Sequence, residues 1–341
     1  MTKEEQKTII VIGATGKQGG SVARSLLQNP AFRVRCITRD PTSKETQALR
    51  ELGAEWVQGD GLDETGMEAL LMGAWGIFIN NGYILSNDVL QGLYERDFGN
   101  CILRSASKAG VAHVVFSSQP SAEELTNGRI RTPVLDAKAH GEKWARTHGK
   151  FQSFTPIMSA WYMEDFLMPS FVTDFGGFPI HHDDEGYLTF RSAPLGGREE
   201  VPWVCVDDDF GDMVHGIFLD PMRWNQRMVQ AVSEILSFGD VVSTFADVTK
   251  KPSRFIPYGE LATIPDDGRV GLKESGDVFA FYQLREGELF GTAATESRTA
   301  AQLKKAAFRA KGGRGREVPT TCREWFEQHF SADVPFTRGI K

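Results

Sequence analysis

Up to Pro156 the chain alternates between two hydrophobic patterns. Short continuous apolar runs such as Thr8–Ile12 give way to stretches with apolar residues at helical spacing, as in Lys17–Gln28 through Val22, Leu26 and Leu27. The exchange recurs, predicting strands at Phe32–Thr38, Glu55–Gln58, Ile77–Asn80, Ala112–Ser117 and Phe151–Pro156 and helices at Glu45–Leu52, Glu64–Leu71, Val89–Lys108 and Asp136–His148. Uniform apolar strands are those buried on both faces, so the expected class is α/β, a Rossmann-type doubly wound parallel sheet.

Beyond residue 157 the alternation breaks into aromatic, Pro/Gly-rich segments. A strand is expected at Gly186–Phe190 and helices at Phe210–Leu219, Phe238–Thr249, Thr299–Arg309 and Thr321–Phe330. Without a repeat or clean linker, residues 1–156 read as a nucleotide-binding domain and 157–341 as a smaller C-terminal lobe, partly interleaved with the sheet.

Composition adds exclusions. A net charge of -7 over 341 residues argues against a broad basic face and hence against direct nucleic-acid binding. Cys36, Cys101, Cys205 and Cys322 lie far apart, which signals neither a disulfide framework nor a zinc site and fits a reducing, cytoplasmic setting. The polar N-terminus is not ordered like a secretory signal, and no apolar run is long enough to span a bilayer, so no membrane association is expected. Glycine is in surplus, with 35 residues and no Gly-X-Y period, so the glycines need individual reasons.

The first reason lies in Ile12-Gly13-Ala14-Thr15-Gly16-Lys17-Gln18-Gly19, a GxxGxxG turn between the first strand and first helix. Gly13 suits a tight turn, Gly16 lets backbone approach a pyrophosphate, and Gly19 permits close helix–strand packing; the helix N-terminus offers N–H groups to an anion. At the end of the second strand, Thr38-Arg39-Asp40 places Arg39 where NAD sites carry an acid, and its guanidinium suits the 2′-phosphate of NADP; Asp40, one residue on, keeps NAD open. Ligands of such sheets sit beyond the carboxyl ends of the strands. Asp60 of Gly59-Asp60-Gly61 is therefore expected near the adenine, and Asn80 of Asn80-Asn81-Gly82 and Ser117 of Ser117-Ser118-Gln119 on the nicotinamide side.

With Asp136-Ala137-Lys138, Thr155-Pro156, Trp161-Tyr162-Met163-Glu164-Asp165-Phe166, Val201-Pro202-Trp203-Val204 and Trp325-Phe326, these motifs resemble the NmrA-like branch of the atypical short-chain dehydrogenase/reductase family. The resemblance covers most of the chain, and the glycine turn with Gln18 is its most specific piece. It implies a preference for NADP(H) and one of two functions. Some relatives reduce small aromatic or enone molecules, as isoflavone and phenylcoumaran-type reductases do, while others bind NADP without turnover and act as redox-sensing regulators of a protein partner. The cofactor-binding positions it points to are Gly13, Thr15, Gly16, Gln18, Gly19, Arg39, Asp60, Asn80, Ser117 and Lys138.

Ordinary members of the wider family carry Tyr-x-x-x-Lys on the helix after strand five. This chain reads Val134-Leu135-Asp136-Ala137-Lys138, keeping the lysine and replacing the tyrosine by valine. Hydride transfer belongs to the cofactor, but the proton must come from elsewhere. Lys138 is the catalytic candidate, as a desolvated neutral amine, or else it holds the nicotinamide ribose. Glu142 shares its helical face, and His140, Tyr162 and Tyr83 are further protic groups.

Other constellations carry less. The consecutive ligand types of His181-His182-Asp183-Asp184-Glu185 diverge and predict no metal site. Asp207-Asp208-Asp209 reads as a helix cap and Lys311-Gly312-Gly313-Arg314-Gly315-Arg316 as a surface connector. Trp161, Tyr162, Phe166, Met168, Phe171, Phe175 and Phe178 are expected mostly in the core, with a minority lining an apolar cleft for a flat aromatic or polyketide-like substrate of secondary metabolism. The leading expectation is an NADP-dependent oxidoreductase acting on a small molecule; the alternative is a non-catalytic NADP sensor.

Overall fold

The computed structural model describes residues 6–81, 89–196, 199–258 and 272–331, and only the backbone at 89–95 and 272–275. Gly82, Tyr83 and Gly197 lie outside the described residues. The alternation takes the form β1 Lys7–Ile12, α1 Lys17–Leu27, β2 Phe32–Thr38, α2 Lys44–Glu51, β3 Glu55–Gln58, α3 Glu64–Leu71, β4 Gly76–Ile79, α4 Val89–Lys108, β5 His113–Ser118, α5 Ala122–Leu125, α6 Pro133–His148 and β6 Ser153–Ser159. The remainder holds β7 Trp161–Tyr162, α7 Pro169–Asp174, β8 Leu188–Ser192, β9 Val201–Val204, α8 Gly211–Leu219, β10 Val229–Ala231, β11 Glu234–Leu236, α9 Phe238–Thr249, β12 Ser253–Pro257, α10 Leu272–Leu284, α11 Arg298–Ala310 and α12 Cys322–Phe330.

Seven parallel strands form the central sheet in the order β10-β6-β5-β4-β1-β2-β3. The order reverses between β1 and β4, which opens the crevice where such sheets bind ligands. Successive side chains of β1 enter opposite cores: Ile9 and Val11 pack with Val22 and Leu26 of α1, and Ile10 and Ile12 with Met67 of α3 and Ile102 of α4. Burial on both faces is why β1 reads as an unbroken apolar run. The lobe contributes two small sheets, β11-β9-β7 and β12-β8, around a cluster in which Phe166, Phe190, Trp203, Phe238 and Trp325 meet ring to ring.

The lobe is joined to the sheet by backbone and by charge. Strand β10 pairs with β6, and α8 crosses α1 so closely that a Cβ on Gly211 would stand 2.1 Å from the Ser21 carbonyl oxygen. Between α8 and α11, Lys304 pairs with Asp209 at 2.8 Å and Asp212 at 3.3 Å, and Lys311 with Asp212 at 2.6 Å, all four side chains being buried. Ser25 of α1 donates to Asp212, and His215 bridges Ser25 and Asn29. Burial pulls the His215 imidazole down to about 4, keeping it a neutral link.

These contacts correct two expectations. Asp207, Asp208 and Asp209 lie in a π-turn at Val206–Phe210 whose last aspartate is spent on the buried network rather than on a simple cap. Within Lys311–Arg316 it is Lys311 that departs from a surface connector, being drawn inside by Asp212, while residues 312–315 are exposed. The 181–185 segment is an ion-pair cluster in which Arg254 reaches Asp183 and Glu185, and no group of metal-ligating residues occurs among the described residues. The four cysteines are buried and unpaired, and no described helix is long and apolar enough to cross a membrane.

Candidate active site

The glycine turn sits at the switch point. Gly13 has φ +80, a left-handed conformation that side chains with a Cβ rarely adopt, and a Cβ there would stand 3.1 Å from the Asn80 carbonyl oxygen across the crevice. A Cβ on Gly19 would stand 2.2 Å from the Gly13 carbonyl oxygen, so the second turn of the motif closes only on glycine. A Cβ on Gly16 would meet nothing nearer than Gly13 O at 3.4 Å. Protein packing therefore does not demand glycine at 16, and Thr15 and Gly16 are exposed at the mouth. Gly16 is the N-cap of α1 and brings no side-chain cap, and the first turn holds no acid, which leaves the N-terminal N–H groups and positive dipole end open to an anion.

Gln18 projects from that first turn. Its Nε2 donates to the Tyr162 hydroxyl at 2.6 Å, while its Oε1 is buried with no protein partner. A buried amide oxygen left unpaired is costly, and a donor on a bound ligand would satisfy it. Lys17 crosses to the lobe as well, pairing with Asp165 at 3.4 Å and reaching the Met168 sulfur at 3.2 Å. Burial pushes the Asp165 carboxyl up to about 6 despite that lysine. No pattern in the sequence pairs residues this far apart, and these contacts arise only because β7 follows β6 over the crevice.

At the ends of β2 and β3 the local turns separate Arg39 from Asp40. Asp40 accepts from the Thr42 N–H at 2.9 Å and the Thr42 hydroxyl at 2.6 Å, and these bonds hold its carboxyl below the usual range. Its oxygens are thereby committed to the turn that starts α2, whereas the Arg39 side chain is exposed. The Gly59 N–H bonds the Thr38 carbonyl at 3.0 Å, which brings exposed Asp60 alongside; Asp60 closes its own turn by accepting from Leu62 N.

On the other side of the crevice, Lys138 emerges from α6 between β4 and β5. Its Nζ donates to Asn80 Oδ1 at 2.9 Å, to Ser117 O at 3.2 Å and to Ser117 Oγ at 3.2 Å, and the side chain is buried. That arrangement fixes the amino group at the crevice, with Asn80 Oδ1 and Ser117 O as acceptors and the Ser117 hydroxyl beside them. Glu142 is engaged by the Ser118 hydroxyl and by Arg146 at 2.8 Å. His140 is exposed. Thus Gly13, Gln18, Gly19, Asn80, Ser117 and Lys138 gather at the switch point, and Arg39 with Asp60 sits farther along the same edge.

A family model described as the NmrA-like family matches residues 5–308. The NmrA-like family domain-containing oxidoreductase lnaB of Aspergillus flavus is 47% identical over 336 residues, covering 96% of this chain and 99% of that one. Among solved structures, NmrA, a negative transcriptional regulator, in complex with NADP superposes with a TM-score of 0.71 at 19% identity over 96% of both chains. The Citrobacter sp. triphenylmethane reductase complexed with NADP(H) gives 0.65 at 15% identity, covering 94% of this chain and 99% of that chain. The glycine turn, the parallel sheet with its switch point and the near full-length match together establish that this chain belongs to the NmrA-like family.

Proposed function

We propose that the chain is an NADP(H)-dependent oxidoreductase that reduces a small aromatic, quinone or enone-type molecule in secondary metabolism. The observation that carries this reading is Lys138, buried at the ends of β4 and β5 and bonded to Asn80 and Ser117 beside the glycine turn. Identity of 47% over nearly the full length to a protein named an oxidoreductase supports it, as does the likeness to a triphenylmethane reductase complexed with NADP(H), while NmrA, a negative transcriptional regulator solved with NADP, supports the cofactor alone.

The residues present fit the cofactor. The uncapped α1 N-terminus with Thr15 and Gly16 suits the pyrophosphate, Arg39 suits a 2′-phosphate because Asp40 is committed to Thr42, and Asp60 lies toward the adenine side. The unpartnered Gln18 Oε1 needs a donor, which a carboxamide or ribose hydroxyl supplies. When bound, NADPH supplies the hydride. Lys138 holds positive charge at a fixed place, where it can orient a ribose hydroxyl or stabilise negative charge developing on the substrate oxygen. Trp161, Tyr162, Met168 and Phe171 stay half-buried beyond β6, apolar surface of the kind a flat substrate stacks on.

A second reading, a non-catalytic NADP-binding regulator of a protein partner, is favoured by Val134 in place of the family tyrosine. Purified protein with NADPH and a panel of quinones and enones separates the two. Oxidation of NADPH that Lys138→Met abolishes supports the enzyme; NADP binding without turnover on any member supports the regulator.

A further inference from the structure

Reduction of a carbonyl or enone consumes a proton as well as a hydride, and the proton must come from a group at the crevice that can release it. Lys138 is already engaged by Asn80, just beyond β4, and by the carbonyl and hydroxyl of Ser117 on β5. Resting on the oxidoreductase reading above, we propose that Tyr162 is the proton donor of the reaction.

Four observations place it there. The hydroxyl lies 2.6 Å from Gln18 Nε2, in the first turn of the helix whose N-terminus faces the crevice. Ser159, at the end of β6, also hydrogen-bonds the hydroxyl, and Gln119, just beyond β5, lies 3.5 Å from Ser159 Oγ. A polar chain thus crosses the strand ends from β5 to α1 with the phenol within it. Beside it, Gln18 Oε1 is buried and unpartnered, the mark of a corner that a ligand completes. The Lys17 ammonium, finally, stands 5.9 Å from the centre of the tyrosine ring.

Burial raises the phenol to about 12, so it carries its proton at neutral pH. Gln18 donates to the oxygen and Ser159 hydrogen-bonds it, and both bonds act against the rise that burial causes, offsetting part of the cost of a phenolate formed in turnover. Asp165 and Glu164, on the following turn, act in the opposite sense.

In the step itself, hydride forms a new C–H bond on the substrate, and the π pair of its C=O group, or of the conjugated C=C–C=O system, moves to oxygen. The Tyr162 O–H bond then breaks, its proton forming the substrate O–H bond and its electron pair remaining on the phenolic oxygen. Solvent reprotonates the phenolate. NADPH is oxidised by two electrons and the substrate is reduced by two.

The test uses the full chain with NADPH and two probes, 2-methyl-1,4-naphthoquinone and 4-phenylbut-3-en-2-one. Tyr162→Phe, which keeps the ring, is expected to lower kcat about 100-fold or more, in the range general acids contribute. Independently of turnover, the Cζ resonance of Tyr162 in protein carrying 13C-labelled tyrosine, assigned by its absence in Tyr162→Phe, is expected to move when NADP+ is added. Should Tyr162→Phe not fold, Ser159→Ala, which removes one donor to the phenol, is expected to lower kcat about tenfold. Wild-type kcat in the variant used, or a Tyr162 resonance indifferent to NADP+, overturns the inference and leaves the oxidoreductase reading standing. A wild type that oxidises NADPH with neither probe overturns that reading and this inference with it.

Discussion

Lys138 Nζ lies 2.9 Å from Asn80 Oδ1, which ties helix α6 to the end of β4 on the side of the crevice facing the glycine turn. The bond is charge-assisted and spans 58 residues of sequence. If the ammonium is the fixed positive charge of the site, Lys138→Met lowers kcat/KM about 100-fold or more while the fold is kept, because methionine retains the buried aliphatic stem. Lys138→Arg does not rescue it, since a planar fork cannot occupy the place of a compact ammonium. Asn80→Ala, which leaves Ser117 in place, gives an intermediate loss. Steady-state kinetics paired with circular dichroism checks all three, and full activity in Lys138→Met would remove the lysine from the mechanism.

Arg39 and Asp40 are adjacent but differently employed. Asp40 spends its carboxylate on Thr42, and Arg39 is exposed at the end of β2. Hydrogen bonds to charged groups contribute about 1.5–3 kcal/mol, so Arg39→Ala is expected to weaken NADPH about 10–100-fold. NADH, which has no 2′-phosphate, should bind as before. Asp40→Asn preserves the acceptor for Thr42 and should leave both affinities nearly unchanged. Calorimetric titration of each variant with both nucleotides decides the matter; equal losses for the two cofactors in Arg39→Ala would show that this side chain does not read the phosphate.

How much of this was legible depended on where each signal resides. Strands β1, β4 and β5 showed as apolar runs because both their faces are buried, whereas β2 alternates, with Arg33 exposed and Arg35 half-buried between buried residues; Phe238–Thr249 showed through apolar residues at helical spacing. Strand β10 is three residues long and β9 contains Pro202, so neither has a periodicity to detect. The glycine turn is local and could be read. The bonds of Gln18 to Tyr162 and of Lys17 to Asp165 join residues 144 and 148 positions apart, and only the folded chain brings them together. Lys311, in a basic glycine-rich stretch, had every mark of a solvated residue; its burial follows from Asp212, 99 positions earlier.

Glu164 gives the lobe a pH dependence of definite sign. Its Oε1 accepts from Asp207 N at 2.9 Å, its Oε2 is buried without a partner, and burial raises the carboxyl to about 7. At pH below the unfolded value of 4.5 both states are protonated and the group contributes nothing. As pH rises toward 7 the unfolded chain releases this proton first, so stability falls with pH, by about 3 kcal/mol once the interval is crossed. Glu164→Gln retains an acceptor for Asp207 and removes the titration. Relative to wild type, its denaturation midpoint should therefore rise steadily from pH 4.5 to about pH 7.5. A difference that stays constant over that interval would show that Glu164 does not titrate there.

The network of Lys304, Lys311, Asp209 and Asp212 makes a sharper demand on stability. All four charges are buried, and α1, which carries the glycine turn, is tied to it through Ser25 and His215. Removing one member of a buried pair leaves its partner charged and unsolvated, at a cost of about 3–5 kcal/mol. Lys304→Met is expected to lose that amount in urea denaturation, since Asp209 then keeps the neutral donors Ser233 and Thr320 but loses its ammonium. Asp212→Asn, which takes the acid partner from Lys311 and the second of two from Lys304, should be comparably damaging. The double variant Lys304→Met/Asp212→Asn should lose less than the sum of the two, because each single change already breaks their shared contact. NADP+ should restore part of the midpoint in every variant, because a ligand that binds only the folded chain stabilises it in proportion to its occupancy. Additive losses in the double variant would mean that the charges act separately and that α8 and α11 are held by apolar packing alone.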